Sequence, residues 1–193
     1  PKAREALRAA VGAGLGLLLT GILLYLISPT DSFLHHPLLI APFAASAVLI
    51  FAVPNSPLAQ PWAVVVGNSI AALIGVATMH LLPMALPAGA IAVLITLLAT
   101  AALRATHPPA GAAAMATVLA YHVDAPTSLA FALHPVLTGS VLLVVAGIVW
   151  NRATGRVYPF RQSAPVPHGT SDALPERRLS PSPDILAATL DRL

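Results

Sequence analysis

The residues of this chain with the most chemical potential lie in one short run: Thr106, His107, Pro108, Pro109, Ala110, Gly111 and Ala112. An imidazole titrates near neutral pH and serves as a proton carrier or hydrogen-bond partner. Proline suits the first turn of a helix, where its missing N–H is no loss, so the prolines predict a helix starting at Pro108. The N–H groups that follow, of Ala110, Gly111 and Ala112, then lack intrahelical partners. Side chains this small leave them open to approach. A helix start carries about half a positive charge and is a natural anion site. A second stretch, Ala41-Pro42-Phe43-Ala44-Ala45-Ser46, repeats the pattern with the N–H groups of Phe43, Ala44 and Ala45 and the hydroxyl of Ser46. Together these residues predict a small anion held by backbone donors, with His107 touching the anion or its protons. The plainer alternatives are that His107 caps a helix and that Ser46 bonds a carbonyl one turn back.

The elements that must position these groups are membrane helices. Of 193 residues, 57% are hydrophobic and 9% charged, and the mean hydropathy is +0.82. Between Ala9 and Asn151 the only formally charged residues are Asp31, Arg104 and Asp124, far too few to keep a soluble surface wet. The net charge of +3 sits at segment edges and gives no nucleic-acid signal. The chain has no cysteine, and therefore no disulfide or thiolate metal site.

Six apolar segments are expected, at about Ala9–Ile27, Leu38–Val53, Pro61–Leu82, Pro87–Leu103, Pro108–Tyr121 and Leu133–Asn151. Gly12, Gly14, Gly16 and Gly21 suit close helix contact in the first, although glycine is also simply tolerated in membrane helices. The second and fifth are short: a helix over Pro108–Tyr121 reaches roughly 21 Å against a hydrocarbon core of about 30 Å. Irregular backbone at that depth must be buried in protein or face water. Six crossings gather Lys2, Arg4, Arg8, Arg104, Arg152, Arg156 and Arg161 on one side, and the positive-inside rule makes that side cytoplasmic.

Internal similarity adds an architecture. Pro42 and Pro108 each precede small residues, and Gly67 and Gly75 are spaced like Gly139 and Gly147, with Asn68 and Ser140 in matching places. Two inverted three-helix repeats are therefore expected, an arrangement of transporters in which broken segments mark the binding site. Asn68, Thr106 and Ser140 join the predicted anion site, although helix-to-helix hydrogen bonding is an equally physical role for Asn68 and Ser140. Ser56, Gln60 and Arg104 fall at the cytoplasmic edge, as a gate or as turn and anchor residues. Asp31, His35, His36, His80, His122, Asp124 and His134 collect on the opposite side, either as ordinary loop polarity or as a proton- or metal-attracting face. No HExxH or paired-carboxylate pattern lies in the membrane region, so an enzyme, a cofactor and a bound metal are not expected.

Thr106–Ala114 (THPPAGAAA) and Pro54–Val76 (PNSPLAQPWAVVVGNSIAALIGV) resemble the signature regions of the HPP family of integral membrane proteins. The resemblance covers about Ala9–Tyr158. It implies transport of a small inorganic anion, with nitrite the named substrate of plastid and cyanobacterial members. It also implies a bacterial inner membrane setting, a C-terminal pair of CBS domains in many bacterial members, and about four transmembrane helices, fewer than the six segments read here. The expected domains are 1–158 transmembrane, 159–181 a flexible linker and 182–193 a short amphipathic helix leading toward a CBS region absent from this chain. The expected partners are a small anion, the lipid bilayer and a homodimer or other homo-oligomer. A membrane sensor governed by CBS domains, and a metal or proton carrier using the extracytoplasmic histidines, are the competing functions.

Overall fold

The computed structural model describes residues 2–27, 40–122, 130 and 132–160. Every regular element among them is helical: α1 (Lys2–Ile27), α2 (Ile40–Ala52), a 3-10 turn (Pro57–Ala59), α3 (Pro61–Leu81), α4 (Ala85–Ala102), α5 (Pro108–His122), a wide turn (Ala132–Leu137) and α6 (Thr138–Ala153). α1, α3 and α4 are long and apolar enough to cross a membrane, as is the stretch His134–Ala153, whereas α2 and α5 are short apolar helices. The chain is a multi-pass membrane protein. The expected linker and terminal helix, and Asp31, His35, His36 and Asp124, lie outside the described residues.

α3 lies at the centre, against α4, α5 and α6, and α1 packs on α2 and α6. Two buried clusters result. Leu24, Phe43, Ile50, Phe51, Val64, Leu143 and Tyr158 fill the space among α1, α2, α3 and α6. Between α3, α4 and α5 the filling is mostly alanine: Ala71, Ala88, Ala92, Ala110, Ala113 and Ala114, with Met79 and Val118. Side chains this small let backbones approach, which is how membrane helices gain contact without a hydrophobic driving force between them. Outward-facing Leu15, Leu18, Leu19 and Leu26 on α1 and Leu86, Leu94, Leu97 and Leu98 on α4 are exposed, an apolar surface suited to lipid and not to water.

Glycine placement decides which faces close. A Cβ on Gly12 or Gly16 would meet the Phe51 ring, and on Gly12 also Trp150, whereas Gly14 and Gly21 have nothing within 4 Å. Of the four expected contact glycines on α1, only the pair one turn apart packs. Two other expectations are corrected. α2 is already helical at Ile40, the first described residue of this stretch, so Pro42 lies inside the helix and does not begin it. The sixth helix is regular only from Thr138. His134 precedes Pro135 and is held extended (φ −143, ψ 113), as steric conflict with the proline ring requires, and this interrupts the helix.

One edge of the bundle is tied by polar contacts. The Arg8 guanidinium donates to Glu5 Oε1 (2.7 Å), Asn151 Oδ1 (3.1 Å) and the Phe51 carbonyl (2.7 Å). Arg156 pairs with Glu5 at 2.6 Å, and Trp62 Nε1 donates to the Leu103 carbonyl at 3.1 Å. The starts of α1 and α3 therefore meet the ends of α2, α4 and α6, and Arg8, Arg104, Arg152 and Arg156 share this edge. Tyr158 Oη donates to the Ala59 carbonyl at 2.9 Å. Burial raises the phenol's pKa above its usual value, so it stays a donor throughout the physiological range.

At Gly75 a Cβ would lie 2.8 Å from Thr117 Cβ and 2.9 Å from the Ala114 carbonyl oxygen, which is backbone and cannot swing away. Gly75→Val should force α3 and α5 apart and cost about 1–3 kcal/mol or more. Gly14→Val, in open space, should be neutral. Thermal melting followed by size-exclusion in detergent checks this contrast, and equal melting points for the two variants would contradict the packing.

Candidate functional site

His107 immediately precedes α5, and a particular turn brings it there. α4 ends in a six-residue cap: Ala105 N–H donates to the Thr100 carbonyl (2.8 Å) and Arg104 N–H to the Ala101 carbonyl (3.1 Å). Arg104 occupies the left-handed position (φ 53) that glycine usually takes. The chain then turns inward, burying Ala105 completely and leaving His107 only 3% exposed. Gly67 on α3 makes room, since a Cβ there would lie 2.9 Å from His107 Cβ.

Both ring nitrogens are engaged. His107 Nδ1 lies 2.8 Å from the Leu58 carbonyl in the 3-10 turn, and because a carbonyl only accepts, Nδ1 carries the hydrogen. Nε2 lies 2.8 Å from Ser46 Oγ on α2. Ser46 Oγ also lies 2.9 Å from the Pro42 carbonyl. Asn68 Nδ2 on α3 donates to Ser46 Oγ and to Ser140 Oγ on α6, each at 3.3 Å. Ser46 and Ser140 are fully buried and Asn68 is 1% exposed. One imidazole, one amide and two hydroxyls thus join α2, α3, α6 and the two loops at the bundle's interior.

Beside this network a cleft of about 220 Å³ opens between α4 and α5, several times the roughly 30 Å³ that a water takes up in the liquid. Its wall includes Thr96, Thr100, Thr106, His107 and Gly111, and no other ionisable group than His107. Thr100 donates its hydroxyl to the Thr96 carbonyl at 2.7 Å. Thr96 Oγ1 and Asn68 Oδ1 are buried without a hydrogen-bond partner among the described residues. Such atoms are rare, because an unpaired buried polar group costs about 1–3 kcal/mol. A Cβ on Gly111 would meet only Val93 Cγ1 at 3.8 Å, so this helix face is open toward the cleft. A larger groove of about 260 Å³ between α1 and α6 is walled by Leu15, Gly16, Phe51 and Trp150 and lacks polar donors suited to an ion.

The description "HPP, transmembrane region" fits residues 1–159. The chain belongs to the HPP family of transmembrane proteins. This HPP chain is also similar to two transmembrane proteins of Dictyostelium discoideum. One is 35% identical over 126 residues, covering 63% of this chain and 44% of the relative. The other is 37% identical over 126 residues, covering 63% and 40%. The chain thus spans less than half the length of each of these relatives. No solved structure matches it.

Of the residues picked out from the HPP sequence, Ser46, Asn68, His107 and Ser140 meet directly, and Thr106, His107 and Gly111 line the cleft. The free backbone donors are corrected. With α2 already helical at Ile40 and Ala41, the Ala44 and Ala45 N–H groups fall in its own ladder, and Ala45 is exposed. Phe43 is not free either, and its ring packs where a Cβ on Gly139 would stand 2.9 Å away. In α5 the Ala110 N–H donates to the His107 carbonyl at 2.8 Å, and Ala112 is exposed one turn into the helix. Side-chain hydroxyls and the imidazole are therefore the polar groups the site offers. Ser56 caps the 3-10 turn through Leu58 N–H (3.2 Å) and Gln60 Nε2 donates to the Pro54 (2.9 Å) and Ser56 (2.8 Å) carbonyls, so both shape the loop that presents Leu58. Arg104 is exposed. Among the described residues no three His, Cys, Asp or Glu side chains gather as metal ligands. Thr96, Thr100 and the Leu58 carbonyl were not foreseen, although threonines one turn apart on an otherwise aliphatic helix are a readable signal.

Asn68→Ala removes both bonds that tie α3 to α2 and α6 and should lower stability by about 1–2 kcal/mol. Ser140→Ala should cost about half as much. Melting curves in detergent measure both, and an unchanged midpoint for Asn68→Ala would show that the bridge does not hold the helices.

Proposed function

We propose that this HPP protein is a permease for a small inorganic anion, with nitrite the leading candidate, and that the anion occupies the cleft between α4 and α5. The observation that carries the reading is Thr96, which lines the cleft together with His107 and whose buried hydroxyl has no hydrogen-bond partner among the described residues. Hydroxyl donors and an imidazole suit a weakly hydrated monovalent anion. No carboxylate lines the cleft, so a bare cation would find no strong ligand there. The resemblance to nitrite-transporting members of the family names the substrate class. We place the edge bearing Arg8, Arg104, Arg152 and Arg156 on the cytoplasmic side of a bacterial inner membrane, by the positive-inside rule.

Inverted repeats are part of this reading. Gly67 and Gly75 of α3 receive His107 and Thr117 from the α5 side, while Gly139 and Gly147 of α6 receive Phe43 and Ile50 from α2. Asn68 and Ser140, each following the first glycine of its pair, bond to each other. These contacts support matching positions for the short helices α2 and α5, as broken segments have in repeat-built transporters.

Thr96→Val keeps the shape and deletes the hydroxyl. Because that hydroxyl has no partner among the described residues, melting should not change, while half-saturation for nitrite uptake into proteoliposomes should rise about tenfold. Gly111→Leu should fill the cleft and stop uptake in a folded protein. Nitrite, nitrate, chloride and formate flux should exceed potassium flux in the wild type. Selective potassium flux, or wild-type nitrite uptake by folded Gly111→Leu, would overturn the proposal.

A further inference from the structure

We infer that His107 binds one proton with each anion, so that the permease carries an anion and a proton together and moves no net charge. This rests on the permease reading and concerns the same cleft. It follows from a hydrogen count at Ser46. With Nδ1–H committed to the Leu58 carbonyl (2.8 Å), the neutral ring presents Nε2 as a bare acceptor. Ser46 Oγ lies 2.8 Å from that nitrogen and 2.9 Å from the Pro42 carbonyl, also an acceptor. Its single hydroxyl hydrogen serves one of these two short contacts and leaves the other without a hydrogen of its own, although the Pro42 carbonyl still takes the Ser46 backbone N–H of the α2 ladder. Asn68 Nδ2 brings a hydrogen to Ser46 Oγ at 3.3 Å but reaches neither acceptor through it.

A proton on Nε2 completes the set. Nε2–H donates to Ser46 Oγ, the Ser46 hydroxyl donates to the Pro42 carbonyl, and Asn68 Nδ2 donates to the second lone pair of Ser46. Every short contact then has its own hydrogen. These contacts accommodate an imidazolium, yet no described residue beside the ring supplies a counter-charge. α2, α4 and the 3-10 turn carry no ionisable side chain, and α3 and α5 carry only His80, Tyr121 and His122, at the helix ends remote from His107. Arg104 in the preceding turn and Arg152 on α6 have the same sign as the imidazolium, His134 lies in the wide turn before α6, and Tyr158, on the Ala59 carbonyl, is a neutral phenol. A buried charge without a partner is costly. An anion in the cleft, whose wall includes His107, supplies that partner and has its own charge balanced in return. Each ligand therefore raises the affinity of the other by the same factor.

The test uses the full chain in proteoliposomes with a pH-sensitive dye inside and the membrane potential clamped by potassium and valinomycin. An inward nitrite gradient should acidify the lumen by one proton per anion, above the leak of protein-free liposomes, at a rate independent of the clamped potential. His107→Gln should lose the acidification. Ser46→Ala removes an acceptor of the charged ring and should move the half-maximal rate about one pH unit toward acid. Nitrite flux that follows the potential without acidification overturns the coupling alone, and so does wild-type coupling in His107→Gln or an unshifted profile in Ser46→Ala. Absence of any anion flux overturns the permease reading and the coupling with it.

Discussion

A single imidazole ring sets the arrangement of the protein's interior. His107 has no freedom to turn: one nitrogen is held by the Leu58 carbonyl, the other by Ser46, and its Cβ rests where only glycine fits at position 67. Every element that reaches the ring must comply. The 3-10 turn is capped by Ser56 and braced by Gln60 so that Leu58 faces inward, and α4 ends with an arginine in a left-handed conformation so that the chain can turn back. A non-glycine residue in that conformation costs on the order of 1 kcal/mol, which the surrounding bonds must offset. The His-Pro-Pro sequence is thus a structural device: the ring bridges two loops and α2, and the prolines start α5 at once.

Around this centre the two sides of the bundle differ in material. Alanine faces between α3, α4 and α5 bring backbones together with little side-chain volume, while aromatic and branched residues fill the side of α1, α2 and α6. The thin packing has a consequence at the cleft. Where α4 and α5 meet near Gly111, alanine-sized groups do not fill the space, and threonines stand at its wall. The edge tied by Arg8, Glu5, Asn151 and Arg156 holds the helix ends, so the cleft lies in a frame fixed at one end by charge-assisted bonds.

Much of the helix plan was readable because a membrane span is a statement about composition, and six apolar runs separated by proline, glycine or charge are legible at once. The two short helices were readable for the same reason, as was the importance of His107, Ser46, Asn68 and Ser140. What the sequence hid was partnership. Nothing local says that His107 bonds Leu58, 49 positions away, or that Gly12 and Gly16 pack while Gly14 does not. Proline also misled: it marked the start of α5 correctly, but α2 is already helical at Ile40, ahead of Pro42. Of the amides expected to be free, that of Ala110 bonds the His107 carbonyl, and those of Ala44 and Ala45 fall in the α2 ladder. Thr96 was overlooked because a helical threonine ordinarily bonds the carbonyl one turn back, and only the three-dimensional arrangement reveals that this one does not.

The proposed anion site is the cleft beside the ring, lined by Thr96, whose hydroxyl has no partner among the described residues, and away from the wider apolar groove between α1 and α6. The most direct measurement is crystallographic: the protein crystallised with bromide, a heavy monovalent anion, and its anomalous density mapped. The account predicts a peak within hydrogen-bonding distance of Thr96 Oγ1, between His107 and Gly111, that disappears when nitrite is added in excess. Bromide density confined to other surfaces, at concentrations that inhibit nitrite uptake, would contradict it.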